Sequence, residues 1–324
     1  MPRPRRWYSA NSVYFASARV AEGLPFVPDR LMNMIIKGIC ARAQSLYPVL
    51  ITDYLWMLNH FHMLFVCQDP GVVKGFFCYL KGELASAINR LRGRAGPVWQ
   101  GRTDTPVVLD TDKIIEVLIY LYTNPQSAGL INKIEEYPGV SSWSALVGGA
   151  STERCATCST SELPQVPRGY DEFRKRDRIA DELTATSPKS GDLVIRPFAW
   201  VNALGESAGI TVEEARQRVI DGVRHKEASL RAERRGKPVA GAKALITQSI
   251  YKSFRPKKYG RRVFCLSSLR QLREAFIELY RDFINDCRVV YEHWKLGNTD
   301  LRMPLAAFAP PVPLLAVALT QISP

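Results

Sequence analysis

The chain has 324 residues, enough for two domains or for one domain with a large extension. Its 46% hydrophobic and 23% charged residues are typical of a soluble globular protein, and no apolar run is long enough to cross a bilayer, which excludes a membrane-spanning protein. The net charge of +13 favours a polyanionic partner, with nucleic acid ahead of a membrane surface.

The first 147 residues predict seven elements in the order β-α-β-β-α-β-α. Apolar alternation and apolar runs indicate strands, and apolar residues spaced by three and four indicate helices. In chain order these are a strand over 11–20, a helix over 30–44, paired strands over 49–57 and 61–67, a helix over 70–93, a strand over 98–109 and a helix over 114–124. This order predicts an α+β fold, with a ferredoxin-like antiparallel sheet and its helices on one face.

The second half of the chain is predicted to be different in character. Residues 148–167 are rich in Gly, Ser, Thr and Pro, which predicts a linker. Residues 168–300 predict a basic, mainly helical extension, with helices from a Thr211 cap to about Arg235, over 240–254, and from a Ser267 or Ser268 cap to near Gly297. Residues 301–324 are rich in Pro and Ala, which predicts a disordered tail.

Two histidines form the first candidate for chemistry. His60 and His62 lie in an apolar run, and the two-residue repeat of a strand places both imidazoles on one side. A pair of this kind can share one divalent metal ion, although two ordinary histidines on a strand give the same pattern. The chain has four histidines in all, so a metallohydrolase site that needs four or five histidine ligands could not be built here without unusual substitutes. Two imidazoles and one oxygen ligand suit Mg²⁺ or Mn²⁺ bound together with a phosphate oxygen.

Two tyrosines in the predicted helix over 114–124 are separated by their periodicity. Tyr122 lies four residues after Leu118, on the apolar face, and is therefore a core residue. Tyr120 lies on a polar stripe with Glu116 and Asn124, which makes it the candidate nucleophile beside the metal. Asn124 is the candidate third metal ligand, and Glu116 is the reserve. A solvent-facing tyrosine on an ordinary amphipathic helix would look the same.

Several segments of the chain resemble the motifs of a known family. The segment 57–65, MLNHFHMLF, is similar to the His-hydrophobic-His (HUH) motif of single-tyrosine transposases. Four other segments lie before and after it in the order found in that family: MPRPRR at 1–6, INR at 88–90, VWQGR at 98–102, and YLYTNP at 120–125 with AGL at 128–130. The likeness is to the REP-associated tyrosine transposases, which act on hairpins of repetitive extragenic palindromes. It spans residues 1–147, which would then be an HUH catalytic domain.

The resemblance implies a metal-dependent endonuclease and strand transferase that acts on single-stranded or hairpin DNA. His60 and His62 would hold the divalent ion against the scissile phosphate, and Tyr120 would form a covalent 5′-phosphotyrosine intermediate. Leu58 replaces the usual proline of the motif, and Gln126 and Ser127 replace the usual Val-Arg or Val-Lys. Two alternatives stay open: an HUH nickase of the replication-initiator or relaxase type, and a non-catalytic protein that binds structured DNA.

Several basic residues are candidate DNA contacts. Arg3, Arg5, Arg6 and Trp7 are predicted to form an N-terminal arm for a groove or a stacked base. Arg90 and Arg102 flank the turn into the strand over 98–109 and can bind phosphates. In the extension, the candidates for contact with the DNA backbone are Arg255, Lys257, Lys258, Arg261 and Arg262. Solvated surface charge is the alternative for each of these residues.

The seven cysteines are scattered, which favours reduced thiols and a cytoplasmic protein. The DNA substrate that the resemblance implies would associate it with the nucleoid. Cys155 and Cys158 have metal or redox spacing, but no second Cys or His pair lies nearby in the sequence, so a loop with two free thiols is the simpler interpretation. A monomer and a homodimer are both compatible with the sequence.

Overall fold

The computed structural model of the chain describes residues 6–23, 26–157, 159–186, 190–253 and 263–304. The first half follows the predicted order β-α-β-β-α-β-α. Its elements are β1 (Ser12–Arg19), α1 (Arg30–Leu46), β2 (Leu50–Trp56), β3 (His60–Cys67), α2 (Pro70–Arg92), β4 (Val107–Val108) and α3 (Thr111–Ser127).

Side-chain caps set the ends of the long helices. Asp29 accepts a hydrogen bond from the backbone N–H of Met32 at the start of α1, and Asp110 accepts one from Lys113 at the start of α3. Gly93 ends α2 in the left-handed conformation, with φ of 57°, which a glycine adopts at little cost. β4 is shorter than the predicted strand over 98–109. Elsewhere in that stretch, isolated bridges join Trp99 to Val20 and Asp104 to Ser17.

The fold is α+β, with a five-stranded mixed sheet. Its strand order is β2-β3-β1-β4-β7, where β7 (Cys265–Leu266) comes from the extension and pairs with β4 in parallel. The other pairings are antiparallel, so the expected antiparallel sheet gains one parallel strand at its edge.

Helices cover both faces of the sheet, and the prediction that they lie on one face is wrong. Phe61 and Met63 of β3 belong to the hydrophobic cluster that includes α1 and α2, whereas Leu64 belongs to the cluster that includes α3. β3 is apolar at consecutive positions, which is the pattern of a strand buried on both faces.

Beyond α3 the chain is more structured than the sequence indicates. The remaining helices and strands are α4 (Trp143–Gly148), β5 (Ser151–Ala156), α5 (Glu172–Thr186), β6 (Ser190–Ile195), α6 (Ala199–Leu204), α7 (Val212–Glu233), α8 (Ala242–Thr247) and α9 (Arg270–Lys295). β5 lies within the segment predicted to be a linker and pairs with β6 in a two-stranded antiparallel sheet. This pair is held to α1, because the Gln44 side chain bonds both the N–H and the C=O of Val194 at 2.9 Å.

The helix caps of the extension agree with the sequence in one case and differ in another. Thr211 and Glu214 form the predicted capping box at the start of α7. α8 is a short piece of the helix predicted over 240–254. Neither Ser267 nor Ser268 caps α9, whose N-cap is Leu269; the Ser267 hydroxyl instead donates to Asp110 at the start of α3.

The two halves share their hydrophobic cores. Ile179 and Leu193 lie in the cluster of α1 and α2, and Trp200 and Val219 lie in the cluster of α3. The boundary at residue 148 therefore does not separate one core from another. Residues 305–324, most of the tail predicted to be disordered, lie outside the described residues.

A buried ion-pair network fixes α5 against the first half. Arg176 is 1% exposed, and its Nε lies 3.0 Å from Asp29 Oδ2 in the cap of α1. Its Nη2 also donates to the carbonyls of Ile246 and Gln248, at 3.0 and 3.1 Å. Glu172, one helical turn before Arg176, bonds the N–H of Ile250 at 2.7 Å. The network thus ties together three segments that are distant in sequence.

Replacing Arg176 by methionine should lower the free energy of unfolding by about 3–5 kcal/mol, because the buried Asp29 and Glu172 carboxylates would lose their compensating charge. Urea denaturation followed by circular dichroism measures the change. The matched control is Arg178→Met, an exposed arginine on the same helix, which should change stability by less than about 0.5 kcal/mol. Equal losses in the two variants would contradict this account of the network.

Candidate active site

The two histidines lie together at the His60 end of β3. Their register partners on β1 are Arg19 for His60 and Ser17 for His62, so all four side chains project toward the α3 side of the sheet. The two imidazole ring centroids are 4.9 Å apart, with the planes nearly perpendicular. Phe15 supports the pair, because its ring stacks on His62 with the centroids 5.0 Å apart.

Both imidazoles are held in the neutral form. Burial, followed by the positive charge of Arg19, lowers the pKa of His60 to about 4. Burial, followed by the charges of His60 and Arg19, lowers the pKa of His62 well below its usual value. Neutral imidazole is the form that binds metal ions.

The ring nitrogens are available for a metal ion. His60 Nδ1 lies 2.6 Å from Asn59 Oδ1, a contact in which Nδ1–H donates and Nε2 is left with its lone pair. The buried ring nitrogens of His62 have no hydrogen-bond partner within the described ranges. A buried polar atom without a partner is costly, so a ligand at His62 would remove an energetic penalty. The donor set therefore fits a divalent ion held by two imidazoles.

Tyr120 of α3 faces these histidines. Its ring centroid lies 5.4 Å from that of His62 and 6.3 Å from that of Phe15, in edge-on contacts. Tyr120 is nevertheless 51% exposed, so the residue is accessible from solvent. A tyrosine that touches one imidazole and stays open to solvent is positioned to meet a large substrate.

These residues line a cleft of about 470 Å³. Besides Tyr120 and the two histidines, its walls carry the polar side chains of Ser17, Arg19, Gln100, Arg102 and Asp104. Of these five residues, Arg102 is the one predicted from the sequence as a site residue. Arg19 and Ser17 could have been found, because they follow Phe15 at intervals of two along one strand face. Asp104 depends on the long-range pairing of its backbone with Ser17, which local sequence does not encode.

The wall of the cleft over 99–102 is fastened to α2. The Lys81 ammonium donates to the carbonyl of Gly101 and lies 5.2 Å from the centre of the Trp99 ring. The Trp99 indole in turn donates to the carbonyl of Lys81 at 2.8 Å. Burial lowers the pKa of Lys81 to about 8. This arrangement fixes the segment that presents Gln100 and Arg102.

Neither of the two candidates for a third metal ligand lines the cleft. Asn124 is half-buried one turn beyond Tyr120 and does not line the cleft. Glu116 forms an ion pair with Lys113 at 2.7 Å and is also absent from the cleft wall. Within the described ranges, no three His, Cys, Asp or Glu side chains form a cluster that could hold a metal ion. Among the described residues, the histidine pair therefore has no third protein ligand of these four types.

Tyr122 is a core residue, as its helical position predicts. It is 0% exposed, and its hydroxyl donates to Asp53 Oδ1 at 2.6 Å. Ser142 Oγ lies 2.9 Å from the same hydroxyl. Burial raises the pKa of Asp53 to about 6, with the hydrogen bond from Tyr122 acting in the opposite direction. Asp53 is therefore a carboxyl group that folding keeps protonated to a higher pH.

The raised pKa of Asp53 predicts a pH-dependent stability. The folded protein binds the Asp53 proton more tightly than the unfolded chain, so stability falls as the pH rises from about 4 to about 6 and the loss is complete above that range. Asp53→Asn removes this titration. As the pH rises through this window, the unfolding free energy of the wild type should fall by roughly 3 kcal/mol relative to that of Asp53→Asn. Chemical denaturation at pH 4 and pH 7 measures it, and a constant difference would contradict the assignment.

The predicted DNA-contacting residues fall in different places. Arg6 donates to the carbonyl of Thr103 at 3.0 Å. Trp7 packs on Phe276 and Phe283 of α9, with ring centroids 5.2 and 6.4 Å apart, so it is docked rather than part of a free arm. Arg102 lines the cleft. The remaining N-terminal and C-terminal candidates lie outside the described residues: Arg3, Arg5, Arg255, Lys257, Lys258, Arg261 and Arg262.

Arg90 lies on a separate groove at the end of α2, where it contacts the carbonyl of Ser161. The groove is lined also by Arg94 and Gln165 and does not share a residue with the histidine cleft. Arg90 is exposed there. The sequence predicts that Arg90 and Arg102 flank the same turn, but the structure places the two on different surfaces.

The Cys155 thiol is buried in β5, and burial raises its pKa to about 11. Its sequence neighbour in the CxxC pattern, Cys158, lies outside the described residues. Among the residues described, no helix is long and apolar enough to cross a membrane.

Comparisons with known proteins add one structural likeness. No protein-family model matches the chain, and no curated protein matches it. A solved structure of a REP-associated tyrosine transposase bound to a REP hairpin is similar to part of the chain, with 16% sequence identity and a TM-score of 0.40. The match covers 46% of this chain and 86% of that one.

Proposed function

We propose that the chain is a metal-dependent, single-tyrosine endonuclease and strand transferase that acts on single-stranded DNA carrying a hairpin. The observation that supports this most is the meeting of three side chains in one open cleft. His60 and His62 present neutral imidazoles, and the ring of Tyr120 lies 5.4 Å from that of His62. The motif order over residues 1–147 suggests the hairpin substrate.

The charge of the cleft suits a phosphodiester. Arg19 and Arg102 line its walls beside the histidines, and the chain carries a net charge of +13. Such groups attract a nucleic acid backbone and orient its phosphates. The cleft is open to solvent, so a polymer such as a DNA strand can pass through it.

A divalent ion bound at His60 and His62, Mg²⁺ or Mn²⁺, would withdraw charge from the non-bridging oxygens of the scissile phosphate. Tyr120 Oη would then attack phosphorus, and the bond to the 3′ oxygen would break. The phenol proton passes to water, and the departing 3′ oxygen takes up a proton to become a hydroxyl group. The 5′ phosphate stays on Tyr120 as an ester, which a 3′-hydroxyl can later attack to rejoin DNA without ATP.

The experiment uses hairpin oligonucleotides labelled at either end, incubated with the full chain and Mn²⁺ or Mg²⁺. On a denaturing gel, the 3′-labelled strand should migrate with the protein, and the 5′-labelled fragment should be released with a free 3′-hydroxyl. Chelation of the metal should abolish both products. Cleavage that leaves the 5′-labelled fragment attached to protein would contradict the proposed polarity, and binding without cleavage at any metal concentration would favour a DNA-binding protein without catalysis.

A further inference from the structure

The two tyrosines of α3 point in different directions, and the buried one has unusually well-fixed partners. Tyr122 lies two positions after Tyr120, which is about 200° around a helix. Tyr122 enters the core, where its hydroxyl reaches Asp53 and Ser142, while Tyr120 faces the cleft. Most of the α3 residues that enter this core are aliphatic, namely Ile114, Ile115, Val117, Leu118 and Leu121. An aliphatic side chain could fill the core at position 122, so packing does not explain why a hydroxyl group and a carboxyl group are buried there.

Both partners of Tyr122 are fixed to strand β2. Asp53 belongs to that strand and lies at an irregularity in its pairing with β3. Ser142 is held to β2 through Tyr54, whose N–H donates to Ser142 Oγ at 2.7 Å and whose carbonyl accepts from the Ser142 N–H at 3.0 Å. The Tyr122 hydroxyl is therefore bound to one strand at two points.

The same strand is in register with the histidines. Leu55, two residues after Asp53 and on the same face, pairs with His62 of β3. His62 is thus linked to α3 in three steps: strand pairing joins His62 to Leu55 of β2, the strand joins Leu55 to Asp53, and a hydrogen bond joins Asp53 to Tyr122. Tyr120 lies two residues earlier on that helix.

We infer that the hydrogen-bonded cluster of Asp53, Tyr122 and Ser142 sets the rotation of α3 and thereby the position of Tyr120 against His62. Tyr122 is a positioning residue in this account, and its catalytic significance rests on the proposed function. A tyrosine hydroxyl lies roughly 9 Å from the helix axis, so a rotation of about 7° moves it by about 1 Å. A displacement of about 1 Å can cost on the order of 10²-fold in rate.

The variant that tests this is Tyr122→Phe, which removes only the hydroxyl group. Its matched control is Tyr137→Phe. Tyr137 is also buried, donates a single hydrogen bond to the carbonyl of Trp56 at 2.7 Å, and lies in the same hydrophobic cluster, but it is not on α3. Both variants should lower the melting temperature, because each loses a buried hydrogen bond.

The first readout needs neither DNA nor metal. With 3-fluorotyrosine placed at position 120, the ¹⁹F resonance reports the distance and orientation of the Tyr120 ring relative to the aromatic rings of His62 and Phe15. Tyr122→Phe should shift or broaden this resonance, and Tyr137→Phe should leave it in place. An unchanged resonance in Tyr122→Phe would overturn the inference, whether or not the protein cleaves DNA.

The second readout is single-turnover cleavage of a hairpin oligonucleotide at saturating enzyme. Tyr122→Phe should cleave about 10- to 100-fold more slowly, with DNA affinity changed by less than about twofold, whereas Tyr137→Phe should match the wild type. A rate equal to that of the wild type, or equal losses in the two variants, would overturn the positioning role. If the wild-type protein forms no adduct, the proposed function fails, and the ¹⁹F measurement still decides the inference.

Discussion

Tyr120→Phe should abolish DNA cleavage and the covalent protein–DNA adduct, with a loss on the order of 10⁴-fold or more in rate. The variant removes the oxygen atom that would attack phosphorus and keeps the ring that contacts His62 and Phe15. Because Tyr120 is 51% exposed and is not a core residue, loss of its hydroxyl group should preserve the fold and the affinity for DNA. The measurement is adduct formation on a denaturing gel, beside DNA binding under the same conditions.

Tyr122→Phe is the informative comparison for this loss, because it removes the hydroxyl group of the other tyrosine on the same helix. It should form the adduct, although more slowly. An adduct that forms with Tyr120→Phe and is absent with Tyr122→Phe would mean that the nucleophile has been assigned to the wrong tyrosine.

His62→Ala should reduce cleavage on the order of 10³-fold and should weaken the binding of Mn²⁺ in the absence of DNA. The reason is that the buried His62 ring nitrogens have no hydrogen-bond partner within the described ranges, and the proposed metal ion would give them one. His60→Ala should behave alike. Electron paramagnetic resonance of bound Mn²⁺ measures the metal directly, independently of DNA cleavage.

His225→Ala provides the control for the histidine pair, because His225 is exposed on α7 and does not line the cleft. It should bind Mn²⁺ and cleave DNA as the wild type does. Unchanged Mn²⁺ binding in both His60→Ala and His62→Ala would contradict a metal site at this pair, even if cleavage were lost.

Local periodicity predicts part of the candidate site. The alternation along β3 places His60 and His62 on one face, and the helical spacing of α3 separates buried Tyr122 from exposed Tyr120. Both predictions depend on residues close together in sequence, where backbone geometry alone decides which side a residue faces. Asn124 shares the polar stripe of Tyr120 but does not line the cleft, so its assignment as a metal ligand stays a prediction.

Features made by distant segments were harder to predict. β5 has a mostly exposed and polar sequence, and it becomes a strand because β6, about forty residues later, pairs with it over α1. β7 has two residues and extends the main sheet through β4. Such pairings depend on the tertiary structure, whereas the caps of α2, α3 and α7 are local and could be predicted from sequence.

Gln126 is held by the extension. Its side chain is buried and donates to Glu227 of α7 at 2.7 Å, and Glu227 also accepts from the N–H of Ile134. Gly222 of the same helix lies against Ile119, where a Cβ atom would approach the Ile119 side chain within 2.2 Å. α7 therefore packs closely against the helix that carries Tyr120. Residues of α3 at this interface, such as Gln126, are matched to their partners on α7.

The most direct test of the central claim is to locate the covalent bond. The protein is incubated with a hairpin oligonucleotide and Mn²⁺, digested with protease and nuclease, and the peptides are sequenced by tandem mass spectrometry. The account predicts a 5′-phosphonucleotide on Tyr120, within the peptide that begins after Lys113. A nucleotide attached to Tyr122 or to any residue outside the cleft would contradict it.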